Sequence, residues 1–273
     1  LTEAGGFRDK TIIGHASNRP YQWEVSRYGG FYTQEEIKEV VAYAQERFVT
    51  IIPEIEMPGH CVAALTAYPE YSCTGGPFEV EGRWGVFNDV YCAKEETFKF
   101  LEDVLDEVVR LFPSKYVHIG GDEVPKMRWE RCAACQKRMI EKNLPDEEHL
   151  QSYFINRMES YLNSKGKAII GWDEILEGQL SKSATVMSWR GIKGGVRAAK
   201  EGRDVILSPN SHFYFNHYQL DPKTEPLSNT GYTPLEKAYN FNPLPEELST
   251  NEQKHIIGVQ ANLWTEYMDS QEK

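Results

Sequence analysis

The amino-acid sequence predicts a parallel β/α architecture, and three observations carry that prediction. Short apolar runs rich in β-branched residues alternate with amphipathic helical stretches from residue 33 onward, the pattern of strands joined by crossover helices. No long linker or low-complexity stretch breaks the alternation, and 273 residues is enough chain for one (β/α)8 barrel of roughly 250 residues. Acids, amides and large aromatics gather just after the apolar runs, where a barrel places its chemistry.

The elements follow in order. "TQEEIKEVVAYAQER" opens on Thr33 as N-cap, carries acids in its first turn and repeats Ile37, Val40, Val41 and Ala44 at helical spacing. The run from Phe48 to Ile52 then reads as a fully buried strand. "ETFKFLEDVLDEVVRLFP" is a second helix, stopped by Pro113, and "KYVHIGGDE" is the strand after it. "EEHLQSYFINRMESYLNSKG" is a third, closing at Gly166 as its C′ residue, with "KAIIGWDE" following. "ATVMSWRG", "DVILSP" and "HIIGVQANLW" supply three more strands, with a helix from Gly194 to Glu201 between the first two. The connection from Asn210 to Lys254 is long and rich in Pro, Asn and Tyr. It reads as an active-site loop region with some helix.

The count is six strands, at about 48–53, 115–120, 167–172, 185–189, 204–208 and 256–260, two short of a closed barrel. Their ends choose between barrel and open sheet. The first three deliver Glu54, Glu56 and His60, then His118, Asp122 and Glu123, then Trp172, Asp173 and Glu174. The last three deliver Trp189 and Arg190, then Asn210, His212, Tyr214 and Asn216, then Gln260, Asn262, Trp264 and Glu266. An open sheet focuses its site at one switch point, whereas here every strand end carries chemistry, so the barrel is preferred.

A net charge of −11 lacks the basic stripe that neutralises phosphates, which argues against a nucleic-acid partner. No apolar run approaches the ~18 residues of a membrane span. Of five cysteines, Cys132 and Cys135 form a C-x-x-C in a charged segment with no second such pair to complete a zinc site. That pair reads as structural or incidental, and no metal is expected. Whether Cys73 and Cys92 are bonded stays open.

"HIGGDEVP", residues 118–125, sets two like charges side by side after a buried run. There is no G-x-x-x-x-G-K-[ST] phosphate loop and no G-x-S-x-G elbow. His60, His118, Asp122 and Glu123 could ligate a metal, but that leaves the tryptophans at three strand ends unexplained. Flat apolar rings beside acids and amides suit the C–H faces and hydroxyls of a sugar.

"PEIEMPGH" at 53–60, "HIGGDE" at 118–123, "GWDEIL" at 171–176, "MSWRG" at 187–191 and "GVQANLWTE" at 258–266 together resemble the glycoside hydrolase family 20 β-N-acetylhexosaminidases, in the family's order and over nearly the whole chain. The resemblance implies a (β/α)8 barrel that removes terminal β-linked N-acetylglucosamine or N-acetylgalactosamine with retention, the substrate's own acetamido oxygen acting as nucleophile. It implies Glu123 as acid/base and Asp122 as the residue that holds the acetamido N–H. Trp172, Trp189 and Trp264 would wall the sugar pocket, Tyr214 would donate to the acetamido carbonyl, and Asn216 and Glu266 would bind hydroxyls. His60, Glu56 and His118 would stand behind the catalytic pair. The resemblance implies no cofactor, an N-acetylhexosamine-containing glycan or chitin-derived oligosaccharide as partner, and an exported (periplasmic or extracellular) or lysosomal-type location, which the chain itself leaves unknown. A lacto-N-biosidase-type enzyme and a non-catalytic glycan-binding barrel are the alternatives.

Glu56 stands where the family often has Asp, and so does Asn216. The family's barrel also opens with two strands that bring a sugar-binding arginine and an "HLTDDQGW"-like segment, which this chain lacks. The expectation is that residues 1–273 form a partial catalytic barrel, about six of eight strands with the first two missing, poorly stable and inactive by itself.

Overall fold

A computed structural model describes residues 1–268. The chain divides into two compact units, one of Leu1–Thr11 with Val25–Ala184, the other of Ile12–Glu24 with the chain from Thr185 onward.

In the first unit, Tyr116–His118 and Ala168–Trp172 pair in parallel, with Val117 opposite Ile169. Each strand follows a helix that the apolar spacing predicts. Glu95–Leu111 buries Phe98, Leu101, Leu105 and Val108, and Glu147–Ser164 buries Leu150, Phe154, Ile155, Met158 and Leu162. These stripes meet at Phe98 and Phe154, whose ring centroids lie 4.7 Å apart. Asp146 caps the second helix by accepting from the His149 N–H at 2.9 Å. The helix closes at Gly166, whose φ of +74° lets the Lys167 N–H turn back to the Leu162 carbonyl at 3.0 Å.

The helix Gln34–Gln45 also forms, with Thr33 and Glu36 in a capping box. The buried strand expected after it does not. Phe48 takes a φ of +56°, and Val49 donates back to the Ala44 carbonyl at 3.0 Å, so the start of the apolar run terminates the helix instead of extending it. Phe48 is 99% exposed, and Val49 and Ile52 are exposed too. Strand-like pairing begins only at Pro53, whose carbonyl accepts from His118 N–H at 2.9 Å, while Ile55 N–H donates to His118 O at 2.9 Å. Glu54 thereby makes an isolated parallel bridge with His118. Five of the six expected strands form.

The second unit carries three parallel strands, Thr185–Ser188, Val205–Leu207 and Ile256–Val259, with Val205–Leu207 between the other two. The helix Lys193–Lys200 connects the first two. The long connection is more ordered than a loop region with some helix. It holds the helices Asn210–Phe213 and Leu235–Tyr239 and a two-stranded parallel sheet of His217–Tyr218 with Asn229–Tyr232. No helix among the described residues is long and apolar enough to cross a membrane.

Truncating the buried Phe154 to Ala in the full-length protein should cost about 3–5 kcal/mol, read from the denaturant midpoint, and a loss below about 1 kcal/mol would mean that the helix stripe is not packed.

Candidate active site

The strand Tyr116–His118 runs into two glycines in the left-handed conformation that favours glycine. Gly120 has φ +66° and Gly121 φ +93°. A Cβ on Gly120 would overlap the Glu56 carboxylate, and one on Gly121 would come 2.5 Å from Ile175 Cγ2. The carbonyl of Gly121 accepts from Gln151 Nε2 at 2.8 Å. Gln151 in turn accepts from Lys126, which is ion-paired with Glu148 at 3.2 Å. The backbone that presents Asp122 is therefore fixed from both sides. Glu123 itself has φ +48°, as does His60, a left-handed conformation that is unusual for side chains of this size and recurs at functional sites.

His60 joins the two acids. Its Nε2 lies 3.4 Å from Asp122 Oδ2 and 3.3 Å from Glu123 Oε2. Hydrogen bonds to Asp122 and then Glu123 outweigh the cost of burial and push the imidazole up to about 10, so a cation sits between the two carboxyls at neutral pH. Burial, reinforced by the charge of Asp122, pushes Glu56 up to about 10 as well, which leaves it a neutral carboxylic acid. Burial would also raise Glu54, but the hydrogen bond and charge of His118 hold it below the usual carboxylate range. His118 Nδ1 lies 3.1 Å from Glu54 Oε1, and Trp172 Nε1 donates to the same oxygen at 2.9 Å. Two neighbouring carboxyls thus take opposite protonation states, Glu54 beside a histidine and Glu56 against the glycine turn.

Asp122 Oδ1, Glu56 Oε2 and His118 Nε2 are buried with no hydrogen-bond partner among the described residues, unusual enough to mark a functional place. The same His60, Asp122 and Glu123 atoms are close enough to hold a metal ion, all within 4.8 Å. Metal-ligating histidine must be neutral; in the arrangement described, His60 is held as the cation by its hydrogen bonds to Asp122 and then Glu123.

The first unit therefore brings together Asp122, Glu123, His60, Glu56 and His118 of the predicted residues. Trp172 is only 2% exposed and packs edge-to-face on His118 at 4.8 Å. In the second unit, Trp189 and Tyr214 stack with centroids 6.2 Å apart. Asn216, Trp264 and Glu266 line one pocket there. Asn216 is 5% exposed with neither amide atom partnered among the described residues, and burial raises the Glu266 carboxyl.

Gln151 is the positioning residue that the sequence reading passed over, and a signal existed. It lies on the apolar stripe of its helix, three and four residues before Phe154 and Ile155, and is 2% exposed. A polar side chain on a buried stripe needs a partner, and here the partner is the carbonyl before Asp122. The pairing of Glu54 with His118 was likewise hidden, because 64 positions of sequence separate them.

The whole chain, residues 1–273, matches the catalytic domain of glycosyl hydrolase family 20. The chain belongs to that family. Among family 20 relatives, it is 54% identical over 250 residues to a β-hexosaminidase of Porphyromonas gingivalis, covering 91% of this chain and 32% of that protein. A crystal structure of a β-N-acetylhexosaminidase superposes with a TM-score of 0.85 at 28% identity, covering 97% of this chain and 55% of the other. An exo-β-N-acetylglucosaminidase of Vibrio harveyi, in complex with N-acetylglucosamine, gives 0.80 at 35% identity, with 99% and 43% covered. The chain thus spans about a third to a little over half of the length of these family 20 proteins. Its fold class is that of part of a (β/α)8 barrel.

Two outcomes are expected in the full-length protein. For Glu56 the folded state holds its proton to about 10 against an ordinary value of 4.5. Its contribution to stability is therefore fully present below about 4.5 and is lost as pH rises through about 10. Glu56→Gln, which cannot ionise, should gain in melting temperature relative to wild type as pH rises from about 5 to about 9; a pH-independent difference would contradict the buried acid. Gly120→Ala should cost on the order of 2–4 kcal/mol, and adding Glu56→Ala should recover part of the loss by removing the clashing carboxyl. Strict additivity of the two changes, read by denaturation, would rule the clash out.

Proposed function

We propose that the protein is a retaining exo-β-N-acetylhexosaminidase, acting on terminal β-linked N-acetylglucosamine or N-acetylgalactosamine by substrate-assisted catalysis. The observation that carries this reading is the adjacent pair Asp122 and Glu123 bridged by one imidazolium, His60, at 3.4 and 3.3 Å. An ordinary retaining glycosidase needs two carboxyls about 5 Å apart across the sugar, one of them a nucleophile. Neighbours in sequence serve a different division of labour, in which both act on the same side of one sugar and the nucleophile comes from the substrate.

In this mechanism Glu123, 38% exposed at the side chain, gives its proton to the glycosidic oxygen as the C1–O bond breaks. The 2-acetamido carbonyl oxygen forms the new bond to C1, which yields an oxazolinium ion. Asp122 accepts the acetamido N–H and balances the positive charge. Water then attacks C1 as Glu123 takes its proton, and the acetamide is restored; two inversions leave the configuration retained. His60 orients both carboxyls, and Glu56, Glu54 and His118 hold the backbone and charge behind them. Trp172 fixes Glu54.

The second unit supplies chemistry suited to a sugar. Within that unit Trp264 offers an aromatic face, Asn216 and Glu266 offer an amide and a carboxyl for hydroxyls, and Trp189 stacks with Tyr214 as a ring pair. The printed identity of the Vibrio harveyi neighbour, an exo-β-N-acetylglucosaminidase holding N-acetylglucosamine, supports the choice of amino sugar. The family resemblance supports an exported or lysosomal-type setting and a substrate drawn from glycans or chitin-derived oligosaccharides.

The test is turnover by the full-length protein of a chromogenic β-N-acetylglucosaminide against the matching β-glucoside. Strong preference for the acetamido sugar is expected. Glu123→Gln should lower kcat by about 10²–10⁴-fold, the usual worth of a general acid/base, with sugar binding retained. Equal rates on the two glycosides would remove substrate assistance, and sugar binding without turnover by wild type would favour a glycan-binding barrel.

A further inference from the structure

The sequence offers one C-x-x-C and no second, yet the fold completes a four-cysteine cluster in the first unit. Cys73, Cys92, Cys132 and Cys135 place their sulfurs within 4.8 Å of one another. Eighteen residues separate Cys73 from Cys92 and thirty-nine separate Cys92 from Cys132, a spacing no short motif would flag. Three segments converge. Ser72 and Tyr91 form an antiparallel bridge, so Cys73 and Cys92 stand next to it on neighbouring strands of backbone, with Cys92 N–H donating to Tyr71 O at 2.8 Å. Cys132 and Cys135 open the helix Ala133–Lys142.

The distances decide what this cluster is. The Cys73–Cys135, Cys92–Cys132 and Cys92–Cys135 sulfur pairs are each 3.7 Å apart. A disulfide is about 2.05 Å, so none is formed, and all five cysteines are free thiols. A regular tetrahedron with edges of that size has its centre about 2.3 Å from each vertex, which is the zinc–thiolate bond length. Four sulfurs this close leave room for one ion and none for a water or substrate ligand. Three of the four residues are buried and Cys73 is half-buried, and Ala93 N–H donates to Cys135 Sγ at 3.5 Å, the kind of outer contact that orients a ligating sulfur. The fifth cysteine behaves differently. Cys61 donates to the carbonyls of Pro58 and Asp89, away from the cluster, as an ordinary buried thiol does.

We propose that Cys73, Cys92, Cys132 and Cys135 bind one structural zinc ion in a closed tetrahedral site. All-sulfur, tetrahedral coordination with no open position is the donor set of structural zinc. The ion displaces the thiol protons on binding and ties the 68–93 segment to the start of the helix at 133. Between Glu123 and that helix lies Trp129, fully buried, whose Nε1 donates to Tyr91 O at 2.8 Å. Zinc and tryptophan thus fasten the same two segments, and the chain that leaves the acid pair is anchored within ten residues. This inference does not depend on the proposed glycosidase activity.

The experiment is metal analysis of the full-length protein, purified without chelator, by inductively coupled plasma mass spectrometry. One zinc per chain is expected, falling to none in Cys132→Ser/Cys135→Ser and unchanged in Cys61→Ser. Should the double variant not fold, a mercurial titration of native wild type serves instead, since it should release one equivalent of zinc to a coloured chelator. Cobalt exchanged into the site should show thiolate charge-transfer and tetrahedral ligand-field bands. Protein that carries no zinc and takes up none after reduction would overturn the site. So would an intact mass showing two disulfides, and stoichiometric iron would overturn the identity of the ion.

Discussion

Two carboxyls cannot stand side by side at the mouth of a buried strand without a counter-charge, and the organisation of the first unit follows from supplying one. His60 reaches both Asp122 and Glu123 because the segment from Pro53 to His60 runs alongside the end of the strand at 116–118, with Pro53 and Ile55 hydrogen-bonded to His118 and Met57 to Ile119. That segment also carries Glu54 and Glu56 into the interior, where a further pair of charges would be intolerable. The repulsion is relieved by protonating Glu56 and by giving Glu54 to His118. Desolvation and like charge act on the same carboxyl, so the neutral form wins there.

The glycine turn is the steric half of that arrangement. Room for the Glu56 carboxyl exists only because Gly120 has no side chain, and the positive φ at Gly120 and Gly121 aims the next two residues toward His60. Gln151 then locks the turn through the Gly121 carbonyl. A buried amide on an otherwise apolar helix stripe would be destabilising unless paired; paired, it transmits the rigidity of an 18-residue helix to the backbone before Asp122. The cysteine cluster and Trp129 do the same for the backbone after Glu123. The acid pair is therefore held from both directions.

Much of this was legible in residue patterns. Helical spacing located the helices at 34–45, 95–111 and 147–164, and the β-branched runs located five strands, because burial on one helix stripe or on both strand faces leaves a periodic trace. The run from Phe48 to Ile52 misled for a physical reason. Its composition is that of a buried strand, but Phe48 is consumed by the helix-ending turn, and hydropathy alone does not register which backbone hydrogen bonds are already taken. The acid pair, too, was legible, since two adjacent charges after a buried run are improbable without a use.

What the sequence determined by itself was local or periodic: helix stripes, caps and the family motifs that name Asp122 and Glu123. What only the tertiary structure decided was which distant groups meet. His60 between the acids, Glu54 with His118, Gln151 on the Gly121 carbonyl and four cysteines drawn from three segments are contacts between residues far apart in the chain. Protonation states and metal-binding geometry depend on distances of a few ångströms, and those distances are set by how the elements pack, a quantity that no window of sequence contains.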